Sequence, residues 1–332
     1  MIIHLKPETT SEELTSILTQ NELIHFKEND QHVIVFSSKV KHVPAELEKY
    51  TQAFFVLESD IQLASRSYQK TKHSIDLKHC QIGGQSKSTL VMAGPCSVES
   101  WDQIETSAQL LKKLGLTTLR AGCFKPRTSP YTFQGLGEKG LQMLVKIREL
   151  YGLNIITEVK DSSHVDMVID HADIVQIGTK AMYDQSILRA CGRSNKPILL
   201  KRGFGTTLQE FVQAAEFILS QGNGQVMLCE RGIRTFENKT RFTLDLTGVA
   251  YLKEYTNLPI VVDPSHAMGY RYGVPDLTRA ALAMGIDGLL IETHPDPRTA
   301  MSDAAQQLDH EEFTQLFQSL KPIAMAIQKE II

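Results

Sequence analysis

No apolar run in this 332-residue chain approaches the roughly 18–20 residues that a membrane-spanning helix needs. The amino terminus, MIIHLKPETTSEELT, lacks the basic stretch followed by an apolar one that marks a secretory signal. Charge of one sign is lacking too: 35 Lys and Arg stand against 38 Asp and Glu, a formal net charge of −3. So close a balance gives no long-range pull toward DNA, RNA or anionic lipid, and an anionic ligand must be caught by a local cluster of cations. Cysteine is sparse: Cys80, Cys96, Cys123, Cys191 and Cys229 are five in number, widely scattered, with no CxxC. That predicts free thiols in a reducing cytoplasm, any cysteine role being that of a ligand or nucleophile. Hydrophobic residues at 42% and charged residues at 22% are ordinary for a globular protein and exclude global disorder and low complexity.

Two parts separate along the chain. Residues 1–58 read as short elements: a strand at 2–6, a helix at 11–20 with Thr10 and Glu13 spaced as a capping box, and apolar alternation at 22–26. The run VIVF at 33–36, a short helix opened by Pro44 and AFFVL at 53–57 follow. The order βαββαβ predicts a small ferredoxin-like or ACT-like domain. Residues 59–88 are polar, carry Gly83-Gly84 and read as a linker with one hairpin. From 89 to 332 a strand–helix beat repeats, with strands at 89–94, 117–122, 154–159, 173–178, 197–203, 225–232, 259–266 and 288–294. Eight apolar strands alternating with helices predict an α/β fold of the (β/α)8 TIM-barrel type, with a doubly wound sheet as the alternative.

Barrel chemistry sits at the C-terminal strand ends. There the chain places Cys96, Arg120 with Lys125 and Arg127, Glu158, Lys180, Lys201 with Arg202, Arg231 with Arg234, Asp263 with His266, and Glu292 with His294. Charges gather at any solvent boundary, but a chain of net −3 has no general reason to be so rich in cations here. The cations suit a doubly anionic substrate or two phosphorylated ones, Arg binding phosphate as a fork and Lys as a point charge. Cys96, His266, Glu292 and Asp303 combine thiolate, imidazole and carboxylate, a donor set for a divalent transition metal. Taken singly, Cys96 also suits a small buried residue, His266 a turn cap and Glu292 a solvated strand end. Strands 1, 7 and 8 of a closed barrel are neighbours, which favours the joint reading.

The blocks GPCSVES (94–100), RAGCFKPRTSPYTFQGLGEKG (120–140), LLKRGF (199–204), LCERGIRTFE (228–237), VVDPSHAMG (261–269) and IETHPDPRTAMSD (291–303) resemble 3-deoxy-D-arabino-heptulosonate 7-phosphate (DAHP) synthase, in its shorter type Iβ form. The βαββαβ head resembles the regulatory extension of some members. The resemblance implies a metal-dependent condensation of phosphoenolpyruvate (PEP) with erythrose 4-phosphate, the first step of the shikimate pathway to chorismate and the aromatic amino acids. It implies Cys96, His266, Glu292 and Asp303 as metal ligands, for Mn²⁺ first, with Fe²⁺, Co²⁺, Zn²⁺, Cd²⁺ or Cu²⁺ as alternatives. It implies Arg120, Lys125, Lys201 and Arg231 around PEP, and Arg127 with Thr128 on the erythrose phosphate. Lys180 stands where members usually have Arg, which predicts a weaker PEP phosphate contact because the bidentate fork is lost. Lys125, between the two substrates, is a candidate proton donor. Glu158 is a candidate for activating water, with structural pairing to an Arg as the alternative, and His294 is placed near the metal or the water path. The resemblance further implies a cytoplasmic homotetramer inhibited by Tyr or Phe through the head.

Three other readings stay in view. The related synthase that joins PEP to arabinose 5-phosphate carries K-A-N-R-S-S where this chain reads Lys125-Pro126-Arg127-Thr128-Ser129. The chain could also be a non-catalytic amino-acid sensor, which the complete donor set argues against. The head could serve oligomerisation alone.

Overall fold

The computed structural model describes the chain except residues 21, 22, 29 and 126–128 and the side chains of 19 and 20. The head runs β1 (Ile2–Leu5), α1 (Ser11–Gln20), β2 (Ile24–Glu28), β3 (Gln31–Val35), α2 (Ala45–Glu48) and β4 (Thr51–Phe55). Thr10 and Glu13 form the reciprocal cap that starts α1: the Thr10 amide donates to Glu13 Oε2 at 2.9 Å and the Glu13 amide to Thr10 Oγ1 at 3.3 Å. The four strands pair antiparallel in the order β2-β3-β1-β4, the ferredoxin-like arrangement. Alternation splits the sheet into two faces. Ile3, Leu5 and Ile34 pack with Ile17 and Leu47 of the two helices, whereas Ile2, Phe26, Val33 and Val35 join the core of the larger unit.

Next come β5 (Ser74–Leu77) and β6 (Cys80–Gly83), an antiparallel hairpin within the polar stretch 59–88. The remainder is β7 (Ser88–Gly94), α3 (Trp101–Leu114), β8 (Thr118–Arg120), α4 (Glu138–Tyr151), β9 (Asn154–Val159), α5 (Val165–His171), β10 (Ile174–Ile177) and α6 (Gln185–Gly192). It continues as β11 (Ile198–Lys201), α7 (Leu208–Leu219), β12 (Val226–Glu230), α8 (Leu246–Tyr255), β13 (Ile260–Val262), α9 (Pro264–Met268), α10 (Val274–Ala283), β14 (Gly288–Glu292), α11 (His310–Ala326) and β15 (Glu330–Ile331). Strands β7 to β14 pair in parallel in sequence order, and β14 returns to β7, closing an eight-stranded α/β barrel. The doubly wound alternative is thereby excluded. β15 adds alongside the start of β7.

Each barrel strand alternates between helix-facing and inward side chains. Val91, Ile155, Val175, Leu200, Leu228, Val262 and Leu289 pack outward in the large core. Leu90, Met92, Ile156, Ile174, Leu199, Met227, Cys229, Val261 and Leu290 fill the barrel interior. The hairpin supplies the floor: Ile75 and Ile82, both fully buried, belong to this interior cluster. Lys72 ties the same segment to Asp287, just before β14, at 2.7 Å.

The head is fastened to the barrel through α7. Glu216 accepts the backbone amides of Gln62, Leu63 and Ala64 at 2.7, 3.2 and 2.9 Å. Burial pushes its carboxyl up to about 7 against the pull of those three donors. The amino-terminal ammonium donates to Gln62 Oε1 at 2.6 Å, so the chain start and the segment joining head to barrel are held at one point.

Ile82→Ala removes a plug residue from the end of the barrel opposite the strand tips. It should lower stability to urea by about 2–5 kcal/mol, the usual cost of an Ile→Ala cavity. The charged groups at the strand tips should be undisturbed, because they sit at the other end.

Candidate active site

Counting by two from the inward apolar residues explains what crowds the C-terminal mouth. Ile156 leads to Glu158, Leu199 to Lys201, Cys229 to Arg231, Val261 to Asp263 and Leu290 to Glu292. Each inward stripe thus changes from hydrocarbon to charge as it leaves the plugged interior. Glu158, Lys201 and Arg231 of these line a cavity of about 490 Å³, together with Lys125, Lys180, His266, Arg234, Arg241 and Asp303.

One side of the cavity is a donor cluster. Cys96 Sγ and carboxylate oxygens of Glu292 and Asp303 lie within 4.8 Å of one another. His266 Nε2 is 3.5 Å from Glu292 Oε1. Asp263 sets the ring: Oδ1 accepts the His266 amide at 3.0 Å, capping α9, and Oδ2 lies 2.7 Å from Nδ1. A carboxylate only accepts, so the proton sits on Nδ1 and the Nε2 lone pair is left to face the cluster. Burial pushes the His266 pKa below its ordinary value despite Asp263, which keeps the ring neutral. Asp263 itself is held well below the ordinary carboxylate value, burial being outweighed by His266 and Lys201, whose Nζ donates to Oδ2 at 2.7 Å.

Gly94 adopts φ +145°, and a Cβ there would meet the Arg120 carbonyl oxygen at 2.3 Å. Past this turn, Cys96 Sγ receives Lys125 Nζ at 3.0 Å and donates to Asp303 Oδ2 at 3.2 Å. Burial, with Glu292 beside it, pushes the Cys96 thiol up to about 12. Asp303 sits in the left-handed region at φ +48°, a backbone strain concentrated at the site. Glu292 Oε1 is buried, 2.9 Å from Arg120 Nη1 in an ion pair, and among the described residues it accepts no well-aligned hydrogen bond. A thiol, a neutral imidazole and two carboxylates fit a divalent transition metal, which would also draw the thiol proton off.

The other side is cationic. Arg231 is buried, its Nε has no hydrogen-bond partner among the described residues, and burial lowers its pKa. It lies over the rings of Phe242 and Phe204, at 4.2 and 5.2 Å from their centroids. The two rings stack on each other 5.1 Å apart. Arg234 lies 5.5 Å over Phe204 and Arg241 5.8 Å over Phe242. Aromatic faces hold these cations without neutralising them, so their charge remains available to an anion.

The structure brings Lys125, Glu158, Lys180, Lys201, Arg231, His266 and Asp303 to this one cavity, with Cys96 and Glu292 beneath it. Arg120 turns under the cluster, donating to the Pro95 carbonyl oxygen at 2.7 Å beside Glu292. Glu158 accepts from Gln176 Nε2 at 2.8 Å, and a Cβ at residue 178 would fall 1.9 Å from its Oε1, so glycine makes the room its carboxylate needs. Arg202, a strand-end cation in the sequence, points away and is engaged by Glu230 and Asp245, both at 2.8 Å. His294 lies 3.4 Å from Glu99, outside the donor cluster. Arg127 and Thr128 lie outside the described residues. Sequence reasoning missed Phe204, Phe242, Arg241 and Gln306. Phe204 closes the LLKRGF block and Arg241 follows the LCERGIRTFE block by four residues, so both were findable there, but no spacing rule points to Gln306.

A model of the DAHP synthetase I family matches residues 69–329. The chain belongs to that family. It is 40% identical, over 98% of both chains, to the phospho-2-dehydro-3-deoxyheptonate aldolase of Thermotoga maritima. The crystal structure of that T. maritima protein superposes with a TM-score of 0.81 at 38% identity, covering 100% of this chain and 99% of that one. A truncated form of the T. maritima synthase gives 0.76 at 41% identity, over 81% of this chain and 98% of that one. The 2-dehydro-3-deoxyphosphooctonate aldolase of Stenotrophomonas maltophilia is 30% identical over 74% of this chain and 95% of its own length.

Asp263→Asn removes the acceptor that fixes the proton on His266 Nδ1. Metal affinity, followed by Co²⁺ titration of the thiolate charge-transfer absorption, should fall about 10–100-fold, as for other carboxylates that orient a ligating His.

Proposed function

We propose that this member of the DAHP synthetase I family is a 3-deoxy-7-phosphoheptulonate synthase, joining PEP, D-erythrose 4-phosphate and water to give DAHP and phosphate. One observation carries the reading: a cavity walled by cations adjoins a cluster of a thiol and two carboxylates, with the His266 imidazole 3.5 Å from Glu292. Such a site holds two phosphorylated substrates against their mutual repulsion beside an electrophile-activating ion. The heptonate relative is 40% identical to this chain and the octonate relative 30%, which supports the four-carbon sugar. The KPRTS sequence at 125–129 supports it as well.

In this reading Cys96, His266, Glu292 and Asp303 hold a divalent ion, Mn²⁺ first among the candidates. When bound, the ion supplies Lewis-acid polarisation of the aldehyde oxygen. Arg231, Lys201 and Lys180 hold the PEP phosphate and carboxylate, with Arg120 backing the site from below. Arg127 and Thr128 hold the erythrose phosphate. This positioning sets PEP C3 against the aldehyde carbon, and a new C–C bond forms there. Positive charge developing at PEP C2 is met by water, whose proton Glu158 accepts. The C2–O bond to phosphate then breaks and inorganic phosphate leaves. Lys125, 3.0 Å from Cys96 Sγ, is placed to protonate the new alkoxide.

We also assign the head, residues 1–58, to feedback control by Tyr or Phe, in a cytoplasmic homotetramer. A cavity of about 700 Å³ at the seam between head and α7, lined by Leu23, Phe36, Asp60, Leu63 and Phe217, supports communication between the two parts.

The test is phosphate release from PEP by the intact protein. Turnover is expected with erythrose 4-phosphate alone, lost on chelation, restored by Mn²⁺ and reduced by Tyr or Phe. Turnover with arabinose 5-phosphate instead would overturn the substrate assignment. Cys96→Ser should abolish metal-dependent turnover. Lys180→Arg should lower KM for PEP several-fold with little change in kcat, since it restores a bidentate phosphate contact.

A further inference from the structure

Gln306 lies in the loop between β14 and α11 and is 1% exposed. Its side chain touches both halves of the site. Nε2 donates to Glu292 Oε2 at 2.5 Å, and Oε1 accepts from Arg241 Nη1 at 2.6 Å. The amide orientation follows from its neighbours: a carboxylate only accepts and a guanidinium only donates. Arg241 lines the anion cavity, 3.7 Å from Asp303. The next residue, Gln307, accepts the Cys96 amide at 2.9 Å and donates to the Ser302 carbonyl oxygen at 2.8 Å, so the loop carrying Asp303 is braced from both sides.

We infer that Gln306 is a positioning residue that makes Glu292 a one-oxygen ligand and fixes Arg241 on the anion side. Oε2 is occupied by the amide, while Oε1 lies 3.5 Å from His266 Nε2 and 2.9 Å from Arg120 Nη1. The same amide accepts from Arg241 and so presents a cation to an incoming phosphate. Without this bridge, Glu292 keeps its Arg120 contact at Oε1 but can swing Oε2 toward the cluster, and Arg241 is drawn toward Asp303. The inference rests on the metal reading above but specifies a residue outside the donor set.

Gln306→Met keeps the volume and removes both hydrogen bonds. Gln306→Glu keeps the acceptor for Arg241 and sets a carboxylate against Glu292. Both intact variants and the wild type would be stripped of metal, then titrated with Co²⁺ while the thiolate charge-transfer absorption is followed. Inorganic phosphate binding would be measured on the same samples, and melting in EDTA would report the fold alone. Gln306→Met should weaken Co²⁺ about 10–100-fold, the usual cost of removing a partner of a ligating carboxylate, and should weaken phosphate as well. Gln306→Glu should weaken Co²⁺ at least as much, and should weaken phosphate too, because its carboxylate cancels the charge of Arg241. If Gln306→Met melts early in EDTA, Gln306→Glu still reports the loss of the donor to Glu292. Wild-type Co²⁺ affinity in a folded Gln306→Met or Gln306→Glu protein would overturn the inference and leave the metal site standing. Absence of the cobalt–thiolate band in the wild type would overturn the metal reading and this inference with it.

Discussion

The pairing of β14 with β7 is the constraint on which the site depends. It closes the barrel, leaves no free edge between first and last strands, and sets Glu292 opposite Gly94. The Thr293 amide continues the ladder to the Gly94 carbonyl oxygen at 3.0 Å. Two residues beyond Gly94, the chain reaches Cys96. Two side chains almost 200 residues apart in sequence are thereby placed within ligand distance by backbone hydrogen bonds. The neighbouring pair β13–β14 does the same for His266, whose ring is then oriented by Asp263.

A second theme is how buried cations are kept usable. Taking a guanidinium out of water is costly unless it finds partners, and a carboxylate partner would cancel the charge that binding requires. Arg202 takes the carboxylate route and is lost to the site, spent on joining β11, β12 and the segment leading into α8. Arg231 takes the aromatic route, stacked on Phe204 and Phe242, its Nε without a hydrogen-bond partner among the described residues. Its desolvation is relieved when an anion arrives. On the donor side the same desolvation raises the Cys96 thiol to about 12, while the buried Glu292 is met by Arg120 at 2.9 Å.

The parts away from the mouth prepare it by removing alternatives. Ile75 and Ile82 stopper the far end, so the polar inward stripe is confined to one mouth. Glu216 and Gln62 anchor the head to α7, the helix that follows the strand carrying Lys201. A disturbance of the head therefore has a short mechanical path to the strand that carries Lys201.

Much of this was legible in the chain itself. Eight apolar strands, their helices and the βαββαβ order follow from local periodicity and from caps such as Thr10 with Glu13, which depend on near neighbours alone. The donor set and most of the cations were legible because strand ends announce themselves where an apolar run meets a charge. Periodicity does not say where an inward stripe stops being core, which cations are already paired, or what a long loop brings back. Arg120 turns under the cluster, and Arg202 is sequestered by Glu230 and Asp245. Phe242 and Arg241 return to the site only because the β12–α8 loop folds back through the Ile233–Thr243 bridge. Gln306 has meaning only once Glu292 and Arg241 stand on either side of it. The sequence by itself determined the elements and the kinds of chemistry available, because those are properties of neighbours along the chain. Which charges meet, and which remain free to act, was decided only by barrel closure and loop return, because those contacts join residues that the chain holds far apart.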